Sequence, residues 1–165
     1  IENIIQDKII GYRAPTFSID TDSEWAFDIL TEEGFKYDSS FSPARFRLRY
    51  NMESFNLYKI DTSSGILWEF PVFSGGGYFR LLPYNFIKKR MKRLNENGCP
   101  AVIYLHPWEL DPQQPRIKAG YISSFRHYVN ISKTEAKLKR LLSDFKFTAI
   151  RDIMLRKVER EVENV

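Results

Sequence analysis

The chain has 165 residues, 43% hydrophobic and 15% aromatic, with a formal net charge of +4. That is enough for one domain with a sizeable core and too short for a complete α/β barrel. No apolar run is long enough to span a bilayer, and the single cysteine, Cys99, excludes an internal disulfide or a cysteine-rich zinc site; the basic cluster of Lys88, Lys89, Arg90, Lys92 and Arg93 reads as one solvated helix face, not a nucleic-acid groove.

The first residue is Ile1, and the sequence reads as a fragment, so it carries no information on export or compartment. KIIGY (8–12) predicts a short buried strand and RAPTFS (13–18) a loop. A helix follows, with Thr21 and Glu24 as a capping box, Trp25/Ile29 and Ala26/Leu30 sharing an apolar face, and Gly34 at the left-handed stop. FKY (35–37) predicts a strand ending at Asp38. Residues 39–65 lack periodicity and read as a long loop or a small hairpin. ILWEFPV (66–72) predicts another strand, with Pro71 pointing to a sheet edge or a strand end. Gly75, Gly76 and Gly77 read as a flexible turn that lets backbone approach a neighbour or a ligand, because no lysine with Ser or Thr follows to complete a phosphate loop.

Pro83 opens a helix through Phe86, Ile87, Met91 and Leu94 to a stop at Gly98. AVIYL (101–105) is the strongest strand, its unbroken apolar run implying burial on both faces. Residues 107–131 read as loop. Asn130, Ile131 and Ser132 match a glycosylation acceptor, but Ser132 with Glu135 makes a second capping box for a helix carrying Ala136, Leu138, Leu141 and Leu142. FKFTAI (145–150) then reads as a last strand, and 152–165 as a charged terminal helix.

Strands alternating with helices predict a single α/β domain over residues 1–165 with mainly parallel strands, whose ligands bind beyond the carboxyl ends of the strands. Arg13, Asp38 and His106 each follow a predicted strand, so one sheet gathers them on one face. His106 has the chemistry to exchange a proton near neutral pH; the competing reading is a core histidine with satisfied hydrogen bonds. A metal site from His106, Glu109 and His127 has the right donor types, but its spacing is not that of ligands on adjacent helical turns. The aromatic supply, with Tyr78, Trp108 and the loop residue His127 near Arg80 and Arg126, suits stacking on sugar rings and makes Tyr78, Arg80, Trp108 and His127 candidate substrate contacts.

Through GYRAP, YDSS and LHPWE together, the sequence resembles the polysaccharide deacetylases of NodB type, carbohydrate esterase family 4. It is most similar to the bacterial subgroup associated with exopolysaccharide gene clusters, which shares GGGYFRLLPY (75–84) and FRHY (125–128), and the likeness runs to about Leu155. The resemblance implies an irregular (β/α) barrel, incomplete in this chain. It also implies a hydrolase that removes N-acetyl groups from amino-sugar polymers with a divalent metal, commonly zinc, held by one aspartate and two histidines. It assigns Arg13 to orienting the catalytic carboxylate, Asp38 to lining the groove, and His106 to the general acid.

The family's aspartate pair and its H-x-x-x-H motif belong upstream of Arg13, and neither occurs here, so no metal ligand is assigned to this chain. The expected partner is a poly- or oligosaccharide, with the missing strands coming from an absent N-terminal segment or from another chain in an oligomer. Two readings remain: the C-terminal portion of a deacetylase, inactive by itself, or a non-catalytic carbohydrate-binding module.

Overall fold

The computed structural model describes residues 1–19, 22–43, 52–118 and 120–163. In chain order the elements are α1 (Glu2–Ile5), β1 (Gly11–Tyr12), α2 (Trp25–Glu32), β2 (Tyr37–Asp38), β3 (Tyr58–Thr62), β4 (Gly65–Glu69), β5 (Val72–Gly75), α3 (Gly76–Leu81), α4 (Tyr84–Glu96), β6 (Val102–Tyr104), α5 (Tyr121–Tyr128), α6 (Ile131–Asp144) and α7 (Ile150–Glu163), with 3-10 turns at Pro15–Phe17, Met52–Phe55 and Pro107–Leu110. The fold is mixed α/β, with parallel strand pairs and no closed barrel among the described residues. Contacts gather the chain into two compact units, Ile1–Val72 with Thr148–Val165, and Phe73–Phe147.

The first unit is built on a sheet ordered β1-β2-β4-β3. β1, β2 and β4 run parallel, in register Tyr12↔Asp38 and Asp38↔Glu69, while β3 returns antiparallel on β4; of this hairpin only the first strand falls within residues 39–65, and the second is the strand expected from Ile66. The core joins Ala14, Ile19, Leu30 and Leu67 to the partly buried Ala26, Phe27, Phe35 and Ile60. Of the two pairs expected on one face of α2, Ala26/Leu30 therefore points inward, whereas Trp25 and Ile29 are exposed. Thr21 of the expected capping box lies outside the described residues, and Glu24 is itself the helix N-cap, with no side-chain bond. Gly34 takes the expected left-handed φ of 87°.

Two strand expectations in this unit are corrected. KIIGY contributes only Gly11 and Tyr12 to the sheet, with Tyr12 on the surface. FKFTAI is not a strand: the Thr148 hydroxyl bonds to the Asp152 carboxylate, drawing the segment into the start of α7.

The second unit has a two-stranded sheet, β5 with β6, and four helices. α4 buries Ile87, Met91 and Leu94, spaced i, i+4, i+7, and stops at Gly98 as the sequence predicts. Phe73, Phe79, Val102, Ile131 and Leu141 complete this core. AVIYL pairs over three residues only, and Val102 alone is buried, its four neighbours in the run being half-buried, so the expected burial on both faces is not met. Residues 107–131 are not loop throughout: they hold the Pro107–Leu110 turn and α5. α6 starts one residue before Ser132, with Asn130 at its N-cap; no side chain caps it, because the Asn130 amide donates instead to the Arg80 carbonyl.

The three glycines are the hinge from β5 into α3 and not a flexible turn. A side chain at Gly76 would place its Cβ 1.7 Å from Glu109 Oε1, whereas Gly75 and Gly77 face open space. Because Glu109 is buried and ion-paired to Arg80, it cannot swing aside without breaking that pair. Gly76→Ala is therefore expected to lower unfolding free energy by about 3 kcal/mol or more, the scale of breaking a buried pair. Gly77→Ala, on the exposed side of the helix, should stay within about 1 kcal/mol of wild type. Urea denaturation of the two variants checks this, and equal losses at both positions would refute it.

Candidate functional site

In the second unit, the histidine after β6 is fixed through its own backbone. The turn at Pro107–Leu110 carries Glu109 back so that its Oε2 accepts the His106 N–H at 2.9 Å. Oε1 of the same carboxylate meets Arg80 Nε at 3.0 Å, with Arg80 3% and Glu109 1% exposed. The other Arg80 nitrogens donate to the carbonyls of His127, Val129 and, at 3.1 Å, Arg126. One guanidinium thus ties the turn bearing His106 to the end of α5 bearing His127. Lys137 Nζ, on α6, donates to the carbonyls of Phe79, Arg80 and Leu82 and closes the end of α3; its burial lowers the ammonium pKa.

The rings follow from that frame. Trp108 stacks on His127 at 4.2 Å and 6°, and on His106 at 5.8 Å and 20°. Tyr104 meets His106 edge-on, its hydroxyl 3.5 Å from Nδ1. The Arg80 guanidinium lies 5.2 Å from the Trp108 ring centre. Gln114 links the stack by donating to the Trp108 carbonyl and pairing its Oε1 with His127 Nε2 at 3.1 Å. His106 itself is exposed, and its Nε2 has no hydrogen-bond partner among the described residues. An oriented imidazole with one open nitrogen can deliver or take a proton at a bound molecule.

His106, Trp108 and His127 thus come together, but the expected substrate contacts are corrected in part. Arg80 is not beside a loop tip; it is buried and committed to Glu109 and backbone carbonyls. Tyr78 lies half-exposed on α3, and His127 is helical with Nε2 engaged by Gln114. Glu109 is equally committed, so His106, Glu109 and His127 do not fit a metal ion. No group of three His, Cys, Asp or Glu among the described residues could hold one.

In the first unit, Arg13 follows β1 and Asp38 closes β2, at the carboxyl ends of neighbouring parallel strands. The strand before His106 belongs to the other sheet, so the three do not share one sheet as expected. Arg13 donates to the Ser39 carbonyl at 2.8 Å and hydroxyl at 2.6 Å, and the Ser39 hydroxyl donates on to the Phe70 carbonyl. After Pro15, Thr16 and Phe17 both take positive φ, 57° and 55°, an uncommon backbone state for a β-branched and an aromatic residue. Asp38 is fully buried, its oxygens accepting the Ser40 N–H and hydroxyl, so it offers no surface to a groove; burial inside the parallel ladder turns it inward.

Its neighbour in the ladder, Glu69, is a residue the sequence reading passes over. Both carboxyls are fully buried, Glu69 Oε1 accepts the Phe41 N–H, and Oε2 has no partner. Burial first, and Asp38 second, push the Glu69 pKa up to about 9. The available signal was a single carboxylate inside the apolar run ILWEFPV.

The family described as Domain of unknown function (DUF3473) matches residues 39–155, and the chain belongs to that family. No curated protein and no solved structure matches the chain. The matched span takes in GGGYFRLLPY, LHPWE and FRHY, the segments that build the Arg80–Glu109 frame.

A glutamate whose folded pKa is raised keeps its proton after the unfolded chain has lost one, so its stabilising contribution is complete below the ordinary value of 4.5 and is lost as pH rises toward about 9. Wild-type unfolding free energy should fall through that window by up to about 1.4 kcal/mol per pH unit. Glu69→Gln, which has the same shape and cannot ionise, should flatten that fall. Urea titrations at several pH values test this; parallel profiles for the two proteins would exclude Glu69 as the source.

Proposed function

We propose that the chain is the C-terminal portion of a metal-dependent polysaccharide deacetylase, a hydrolase of the N-acetyl amide bonds of amino-sugar polymers, with His106 as its general acid. The observation that carries this reading is the exposed His106 ring, oriented by Tyr104 and Trp108 and held at its backbone by Glu109, with Nε2 open. The LHPWE resemblance supports it, as does the family match, since domains of this family are known as C-terminal parts of polysaccharide deacetylases. The metal, zinc by the resemblance, supplies Lewis-acid chemistry in that family. The described residues of this chain do not fit it, and their part is the proton. When the C–N bond of the amide adduct breaks, its electron pair moves to nitrogen, a poor leaving group until protonated; the Nε2 proton of His106 goes to that nitrogen and the sugar leaves as a free amine.

A second reading, a carbohydrate-binding module without catalysis, draws on the Trp108–His127 stack and on the absence of a metal-holding group among the described residues. The two separate on acetate release from an N-acetylated oligosaccharide, assayed in a protein that joins this chain to the metal-holding segment. His106→Ala should lower turnover by roughly two to four orders of magnitude, with circular dichroism unchanged. A folded variant with near-normal turnover would remove His106 from the chemistry. Oligosaccharide binding by the chain without any acetate release in the joined protein would favour the module.

A further inference from the structure

α5 is built inside out. On a helical period, Ser124, His127 and Tyr128 form its inward side, where His127 meets Trp108. Ile122 and Phe125, 71% and 60% exposed, turn away from it, and Tyr121, 97% exposed, stands at the border of the two sides next to Tyr128. Tyr128 then lays the preceding segment alongside: its hydroxyl accepts the Ile117 N–H at 2.8 Å, and its ring lies 5.1 Å from the Arg116 guanidinium. This sets Ile117, 75% exposed, beside Tyr128 at that border, with exposed Lys118 next to it in the chain. Residues 112–134 contain Arg116, Lys118, Arg126 and Lys133 and no Asp or Glu.

We infer that this face docks on an anionic lipid surface, with α5 lying in the headgroup plane. No helix among the described residues is long and apolar enough to cross a membrane, so the contact is peripheral. Aromatic and aliphatic side chains enter the headgroup boundary while arginine and lysine stems reach its phosphates, and each basic residue near an anionic leaflet adds to the attraction. The charge argues against a second copy, because a basic rim would face a basic rim. The two isoleucines argue against an acidic polysaccharide, whose hydroxyls and carboxylates gain nothing from branched aliphatic groups.

The test is co-sedimentation of the chain with vesicles of phosphatidylcholine alone, and of phosphatidylcholine with phosphatidylglycerol in equal parts. Binding is expected to the anionic vesicles only. It should weaken by roughly tenfold or more in Lys118→Gln/Arg126→Gln and be lost in Ile122→Ser/Phe125→Ser. These side chains are exposed, so thermal melts should not move. A tryptophan reporter, Phe125→Trp, should shift its emission to the blue on the anionic vesicles and not on the neutral ones. Equal binding to neutral vesicles, or undiminished binding by the Ile122→Ser/Phe125→Ser variant, would overturn the inference. So would a dimer dissolved by Phe125→Ser without lipid binding, which assigns the face to a second copy, or retention on dextran sulfate matched by no vesicle binding, which assigns it to a polyanion.

Discussion

The buried pair of Arg80 and Glu109 sets the position of the second unit's ring stack, His106, Trp108 and His127. A charge taken out of water must be met by an opposite charge, with its remaining hydrogen-bonding groups satisfied, or the fold loses several kcal/mol. Here the requirement is met by drawing backbone from distant parts of the chain: Gly76 at the start of α3, the His106 amide, and the carbonyls of Arg126 and His127. The stretch GGGYFRLLPY is intelligible in those terms. Gly76 leaves room for the carboxylate, Arg80 supplies the five-donor fork, and Pro83 precedes a new helix once α3 has delivered that arginine. His106 is positioned by this frame without being part of its charge, which leaves its open nitrogen available for chemistry.

The chain buries a second glutamate in a different way. Glu109 meets a guanidinium, whereas Glu69 meets another carboxyl on the adjacent strand and has one oxygen with no partner. Burial beside another carboxyl makes the charged form of Glu69 costly, which is why its pKa is raised. Tyr58, opposite Glu69 on β3, has its hydroxyl pKa raised by burial and then by the same two acids. The parallel ladder Tyr12, Asp38, Glu69 forces this pairing, because alternation along β2 and β4 turns both side chains to the same face. Ser39 and Ser40 absorb the remaining polar contacts and, through Arg13 and Ala14, fix the loop that carries the left-handed Thr16 and Phe17.

What was legible in the sequence was what local periodicity encodes. α4 announced itself because Ile87, Met91 and Leu94 recur at helical spacing between Pro83 and Gly98. Pro71 marked the end of β4, and His106 stood just beyond β6 as read. What was not legible depended on partners far away in sequence. The triple glycine looks like a turn until Glu109 is known to fill the space above Gly76. Ser132 looks like a cap until Asn130 is found holding Arg80 from that position. Glu69 and Asp38 are unremarkable singly, and only the strand register brings them together. FRHY was read as loop because its apolar residues do not fall on a buried stripe, the pattern by which an amphipathic helix is recognised.

A helix has one circumference, and α5 devotes its inward arc to polar work: His127 stacks on Trp108 and bonds to Gln114, Tyr128 clamps Ile117, and its last carbonyls receive Arg80. The residues left for the outward arc are Ile122 and Phe125, with Tyr121 at its border. In an ordinary surface helix these positions would be charged, since exposed apolar side chains at this density lower solubility without helping the core. Their presence beside a run free of carboxylates separates two demands on one element: the inner side orders the ring stack, and the outer side meets an apolar boundary with anionic character. Substitutions on the two sides should therefore be independent. A change at Ile122 or Phe125 leaves the Arg80 frame intact, while a change at His127 or Tyr128 loosens the stack and, through the Ile117 clamp, also the segment that borders the outer face.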